Sequence, residues 1–208
     1  MVAVIVILFV TISYWLSSGS VEFKPTVSNN NIETKVFYYE NPIKFMSKPV
    51  EIIDVRTNYI GQVKRQFNSV YEMLSSLFLP NYYVQFKGND KLNSTIVRVQ
   101  KIKGRQGMLK SIWEGELTSP NVNERFVIRG ESKNPNNVIA SFTFQNELIK
   151  VSKQFSENTY HFYKHNKEVT KISLIGKLPP RKIFIDGNQG ELPLLLIATI
   201  FEAIKLHR

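Results

Sequence analysis

The chain contains no cysteine among its 208 residues. Disulfide staples are therefore excluded, and so is any chemistry that needs a thiolate nucleophile or a thiolate-bound metal. Histidine is scarce, with three in all. His161 and His165 stand four apart, the spacing that pairs metal ligands on a helix face, but Tyr160, Phe162 and Tyr163 around them favour a strand. On a strand the two rings lie about 13 Å apart at about 3.3 Å per residue. His207, at the end of the chain, reads as a solvated side chain. No metal site and no cofactor is expected.

Glu114 and Glu116 flank Gly115 and could pair as acid and base on one strand face. No histidine or metal cluster lies near them in sequence, so they read as solvated side chains. Gly104-Arg105-Gln106-Gly107 lacks the Lys-Ser/Thr ending of a phosphate-binding loop and reads as a hairpin tip. The chain is accordingly read as non-enzymatic.

Charge is missing altogether from Met1 to Leu16, where VAVIVILFV leads into Tyr14 and Trp15. A secretory signal would carry Lys or Arg before its apolar run, and none is present. Tyr14 and Trp15 suit the interfacial belt of a retained span. Residues 1–17 are expected to be an uncleaved single-pass anchor in the cell membrane, with a cleaved signal as the alternative. Of the cations near the span only Lys24 is close, and the globular part is assigned to the cytoplasmic side. Residues 18–47 are Asn-rich, carry Pro25 and Pro42, and read as a linker with one short strand at Val36 to Tyr39.

Acidic residues are also few where basic ones crowd. The formal net charge is +10, and between Gly61 and Lys110 only Glu72 and Asp90 oppose nine lysines and arginines. Lys64, Arg65, Arg98, Lys101, Lys103, Arg105 and Lys110 are the candidates for contact with anionic lipid headgroups. Each such cation near a charged bilayer contributes about 1 kcal/mol. Trp113 beside this cluster would also suit nucleic acid, but a membrane anchor makes that partner unsuitable and none is expected.

From Pro49 onward, period-two apolar segments alternate with polar turns, as in an all-β meander. Ile53 and Val55 mark the first strand, Asn58 to Gly61 a turn, and Gln62 to Phe67 the second strand. Val70, Met73, Leu74, Leu77 and Phe78 recur at helical spacing before Pro80 and predict a short packing helix. Tyr82, Val84 and Phe86 share the next strand face, with a turn at Gly88-Asn89-Asp90. Val97 with Val99, Phe126 with Ile128, Val138 to Phe144, Ile149 with Val151, Tyr160 with Phe162, Ile172 with Leu174, and Ile183 with Ile185 continue the pattern. Glu191 to His207 then has almost no polar face as a helix, so it must be enclosed on all sides. It is too short to span a bilayer, which takes about 20 apolar residues. A curled antiparallel sheet around a C-terminal helical plug follows, and closure of the sheet removes its exposed edges.

This order of hairpins ending in a Gly-rich turn and a very hydrophobic helix resembles the tubby C-terminal-like superfamily, which includes LURP-one-related proteins and phospholipid scramblases. The likeness lies in Gln62 to Phe67, Leu79-Pro80-Asn81-Tyr82-Tyr83-Val84, Val138 to Phe144 and Asp186 to Ile204, and covers 48–208. It implies a mainly β fold: a closed or nearly closed antiparallel barrel of about twelve strands around the C-terminal helix. Some members of the superfamily hold phosphoinositide headgroups through Lys and Arg on barrel strands, and the scramblases are associated with moving lipids between leaflets; neither role carries over residue by residue. The chain lacks an acidic calcium-binding segment of the scramblase kind, and no specific headgroup-binding pair aligns. The expected function is a membrane-anchored domain whose basic face meets anionic phospholipid or an acidic partner; the alternative is a protein-interaction module of the cell envelope.

Overall fold

The computed structural model describes residues 36–39, 48–54, 59–79, 81–102, 111–131, 138–154, 158–176, 181–187 and 191–206. The anchor expected at 1–17 lies outside them, as do most of the linker and Lys103, Arg105 and Lys110. Among the described residues no helix is long and apolar enough to cross a membrane. Residues 34–208 form one compact unit.

Twelve antiparallel strands make a closed barrel in which every strand pairs with its neighbours in sequence and the last pairs with the first. They are β1 (Val36–Tyr39), β2 (Val50–Asp54), β3 (Tyr59–Arg65), β4 (Gln85–Asp90), β5 (Ile96–Lys101) and β6 (Ile112–Thr118), followed by β7 (Asn123–Gly130), β8 (Val138–Phe144), β9 (Glu147–Gln154), β10 (Thr159–Lys164), β11 (Lys167–Ile175) and β12 (Lys182–Gly187). Helix α1 (Val70–Phe78) connects β3 to β4, and α2 (Leu194–Ile204) ends the fold. The barrel therefore has two ends. At one, called the α1 end, β3 stops and β4 begins; at the other, the hairpin end, short turns join β4 to β5, β8 to β9 and β10 to β11.

Those turns follow from residue type. Gln145 and Asn146, and again His165 and Asn166, all have positive φ, which two-residue hairpins need so that their twist matches the strands. Inward positions alternate with outward ones on each wall: Val97 and Val99, Phe126 and Ile128, and Phe142 and Phe144 are all buried. Every residue of α2 is buried. The plug lies against β3, β4 and β5, as a helix without a polar face requires. Its one carboxylate, Glu202, accepts from the Tyr38 hydroxyl at 2.8 Å and pairs with Lys205 at 2.7 Å.

Several expectations are corrected. The strand assigned to the linker is β1, and the barrel closes through it: Val36 pairs with Ile185 of β12 and with Asp54 of β2. Tyr59 to Gly61 belong to β3 rather than to a turn, with Gly61 opposite Ile52. On β2 the inward residues are Ile52 and Asp54, with Ile53 only half-buried, so the face is shifted by one residue. Gly88 and Asn89 likewise lie within β4. A Cβ on Gly88 would sit 2.3 Å from Thr199 Oγ1 of α2, so the glycine lets plug and wall touch. The helix predicted before Pro80 exists, but its stripe is not all packed: Val70, Leu74 and Phe78 are exposed.

Candidate functional site

On β3 to β7 the outward residues form one row across the hydrogen-bonded register. Lys64 stands opposite Lys87, Lys87 opposite Arg98, Arg98 opposite Glu116, and Glu116 opposite Arg125. All five point away from the core because Val63, Phe86, Gly88, Val97, Val99, Gly115, Leu117 and Phe126 on either side of them are buried. Glu116 is held between two arginines, at 3.7 Å from Arg98 and 3.3 Å from Arg125. The other half of the row is purely cationic, Lys64, Lys87 and Arg98 side by side. Like charges directly opposite on adjacent strands destabilise a sheet.

Beside this row the outer wall forms an open concavity of about 930 Å³, lined by the cations Lys87, Arg98, Arg125 and Arg129, the carboxylates Glu114, Glu116 and Glu124, and Gln85 and Gln100 among others. Gln85 and Gln100 face each other in register and place amides, which both donate and accept, next to the cations. Gly115 forms part of its floor. A Cβ there would lie 2.1 Å from the Phe126 ring, which covers the glycine from the neighbouring strand. Glu114 and Glu116 are thus on a central strand of a closed wall, and Glu116 is an ion-pair partner rather than a solvated carboxylate.

The structure separates the other sequence candidates. Lys64 and Arg98 lie in the row. Arg65, one residue on from Lys64, points inward and is buried. It donates from Nη2 to the Tyr83 carbonyl at 2.6 Å and lies 5.0 Å from the centre of the Phe67 ring. Burial pushes its guanidinium down to about 10, still far above neutral pH, so it stays charged. This is a correction to its reading as a headgroup contact, and its cause is period two: neighbours on a strand face opposite ways. Lys101 is half-buried and donates to the Asn81 carbonyl at 2.8 Å, and burial lowers its pKa as well. Both cations hold the segment between α1 and β4. Trp113, read as a neighbour of the basic cluster, is 1% exposed and belongs to the core.

Sequence reasoning missed Lys87, Arg125 and Arg129. Lys87 was legible, because Phe86 next to it is a core residue and the outward position follows. The two arginines lie beyond the charge-dense window, and only strand pairing brings them alongside it. His161 Nδ1 sits 2.6 Å from Glu168 and His165 Nε2 2.6 Å from Glu147. Among the described residues no group of three His, Asp or Glu could hold a metal ion.

The family profile described as Tubby C-terminal like domain matches residues 37–205, from β1 to the residue that follows α2. Searches of curated proteins and of solved structures give no match.

Proposed function

The chain belongs to the Tubby C-terminal like domain family, and from that premise we propose a non-enzymatic binding domain that meets anionic phospholipid headgroups through the outer wall of β3 to β5. In this reading residues 1–17 tether it to the cell membrane as a single-pass anchor, with the barrel on the cytoplasmic face, where anionic lipids raise the local negative potential. The concavity then receives phosphate oxygens between Lys87, Arg98 and the amides of Gln85 and Gln100.

The observation that carries the reading is the run of Lys64, Lys87 and Arg98 in register. Lys64 and Lys87 repel one another and Arg98, which shares Glu116 with Arg125, and an anion covering the three removes that repulsion. The row ends in the Arg98, Glu116 and Arg125 cluster, where the sheet supplies its own counter-charge.

The test is co-sedimentation of residues 34–208 with vesicles of phosphatidylcholine alone and of equimolar phosphatidylcholine and phosphatidylserine. Binding should favour the anionic vesicles and weaken with salt. Exchanging Lys64, Lys87 and Arg98 together for glutamate should weaken it by about a hundredfold or more, from about 1 kcal/mol per cation. Unchanged binding in the triple variant would reject the row as the contact, and equal binding of the parent to neutral and anionic vesicles would favour a protein-interaction module.

A further inference from the structure

Helix α1 exposes its oily side. Val70 is 68% exposed, Tyr71 72%, Leu74 40% and Phe78 83%, and at 100° per residue these four fall on one face about 100° wide. Leu79 and Tyr82, just beyond the helix, are 58% and 37% exposed and extend the patch. Contiguous apolar surface of this kind marks a docking site, whereas single exposed apolar residues do not. The other side of the helix holds Ser76, which is buried.

The patch is built to keep its shape. Ser69 caps the helix by accepting from the Glu72 amide at 3.1 Å, while the Glu72 carboxylate accepts from the Asn68 amide at 2.9 Å. At the far end the Leu79 amide donates to Ser75 and the Tyr82 amide to the Leu79 carbonyl. The Arg65 and Lys101 bonds to Tyr83 and Asn81 then fasten the following segment to the barrel. Those two cations therefore act on the patch by holding it in place.

The barrel end that carries α1 is also the basic one. Among the outermost two residues of each strand, the α1 end has Lys64, Arg65, Lys101, Arg129, Lys153 and Lys182, with Glu51 as its acid. The hairpin end has Asp54, Asp90, Glu124, Glu147, Glu168 and Asp186, with Lys164 and Lys167 as its bases. The charge is thus polarised along the barrel axis, and the apolar patch lies at the positive pole. An occupant for this end must offer negative charge and apolar depth together, as an anionic bilayer does. Tyr71 and Tyr82 carry the ring-plus-hydroxyl chemistry that suits the level of the headgroups.

We infer that α1 is a membrane-docking helix: the barrel meets an anionic bilayer with its α1 end, and Tyr71, Leu74, Phe78 and Leu79 enter the region between headgroups and acyl chains. This inference rests on the anionic-lipid reading above and adds an apolar contact and an orientation to it. The outward Lys64, Lys87 and Arg98 then flank the inserted helix and touch phosphates at its side.

The test uses the absence of cysteine. In the full chain, Phe78→Cys gives a single labelling site for an environment-sensitive fluorophore, and Leu92→Cys, 85% exposed in the turn between β4 and β5 at the hairpin end, gives a control. Reconstituted into equimolar phosphatidylcholine and phosphatidylserine vesicles, the probe at 78 should shift to the blue and be quenched by lipids with a quencher on the acyl chain. The probe at 92 should keep aqueous emission. In residues 34–208, whose one tryptophan is Trp113, the pair Leu74→Glu and Phe78→Glu should weaken binding of anionic vesicles by about tenfold or more, with Trp113 emission confirming an intact core. An aqueous probe at 78 in anionic vesicles overturns the inference, as does an equal shift at both sites. If binding to anionic lipid persists while the probe at 78 stays aqueous, insertion fails and the basic-row reading stands. If instead charge reversal in the row leaves binding unchanged while the probe at 78 is buried, the row fails and insertion stands.

Discussion

Replacing Gly88 by alanine should force the plug off the wall. The added Cβ would lie 2.3 Å from Thr199 Oγ1, 3.0 Å from Leu195 Cδ1 and 3.1 Å from Leu195 Cγ. Turning Thr199 away would give up the bond that its hydroxyl donates to the Leu195 carbonyl at 2.7 Å. Overpacking of this kind costs about 1–3 kcal/mol. For a unit of this size each kcal/mol lowers Tm by about 2–4 °C, so a drop of about 6 °C is expected. The assay is fluorescence-monitored melting of residues 34–208. Of the two tryptophans only Trp113 falls in that unit, and it is 1% exposed, so its emission should move to the red as the core opens. Adding Thr199→Ala to Gly88→Ala should recover part of the loss, with a coupling of about 1 kcal/mol. Gly88→Ala as stable as the parent, or no recovery in the double variant, would refute the close approach of α2 and β4 on which this reasoning depends.

Three further outcomes follow from the same geometry. Lys205→Met removes the cation from Glu202, which stays buried and accepts from the Tyr38 hydroxyl, and should cost about 3 kcal/mol in a urea melt, with Glu202→Gln in the same chain restoring much of it. Arg65→Met removes a donor from the Tyr83 carbonyl, and the amides of Leu79 and of 81–84 should then exchange about tenfold faster; an unchanged exchange pattern would show that the clamp does not hold α1. Burial pushes the Asp90 carboxyl up, but hydrogen bonds from Ser94 and Thr95 outweigh it and hold the group below its ordinary range. Its contribution is therefore complete above the unfolded value of about 3.9 and disappears as pH falls through the lower folded value. Asp90→Asn should be less stable than the parent at pH 6, and the difference should start to shrink below about pH 4 and close once pH has fallen through the lower folded value.

The core was legible wherever one apolar face alternates with a polar one, as at Val97 and Val99 or Phe142 and Phe144. The plug was legible because Leu194 to Ile204 has no face that water could accept. What failed was non-local. Val36 to Tyr39 sits among polar residues and proline, and its partner β12 lies at the far end of the sequence, so nothing nearby identified it as part of the wall. Gly61 and Gly88 look like turn signals, and only the strand pairing and the approach of α2 explain why they occur within strands. The two isoleucines of β2 offered either face, and the buried Asp54 went with Ile52. Density of charge singles out β3 to β5, but period two decides which of their cations point outward. That is why Lys64 stands in the row while Arg65 is turned in. On α1 the helical spacing was correct, but its interpretation was not: the interior already filled by α2 had no room for another apolar stripe.

The pairing of β1 with β12 also sets a timetable for biosynthesis. As the nascent chain emerges from the ribosome, β2 to β11 can zip together hairpin by hairpin, but both flanks of that growing ribbon stay unsealed until β12 has been made. The plug is translated later still, so the ribbon has no interior to curl around for most of synthesis. A chain that stalls or is cut before residue 182 would leave the outer edges of β1 and β11 as bare hydrogen-bonding templates, and such fragments should be more prone to aggregate than the closed barrel.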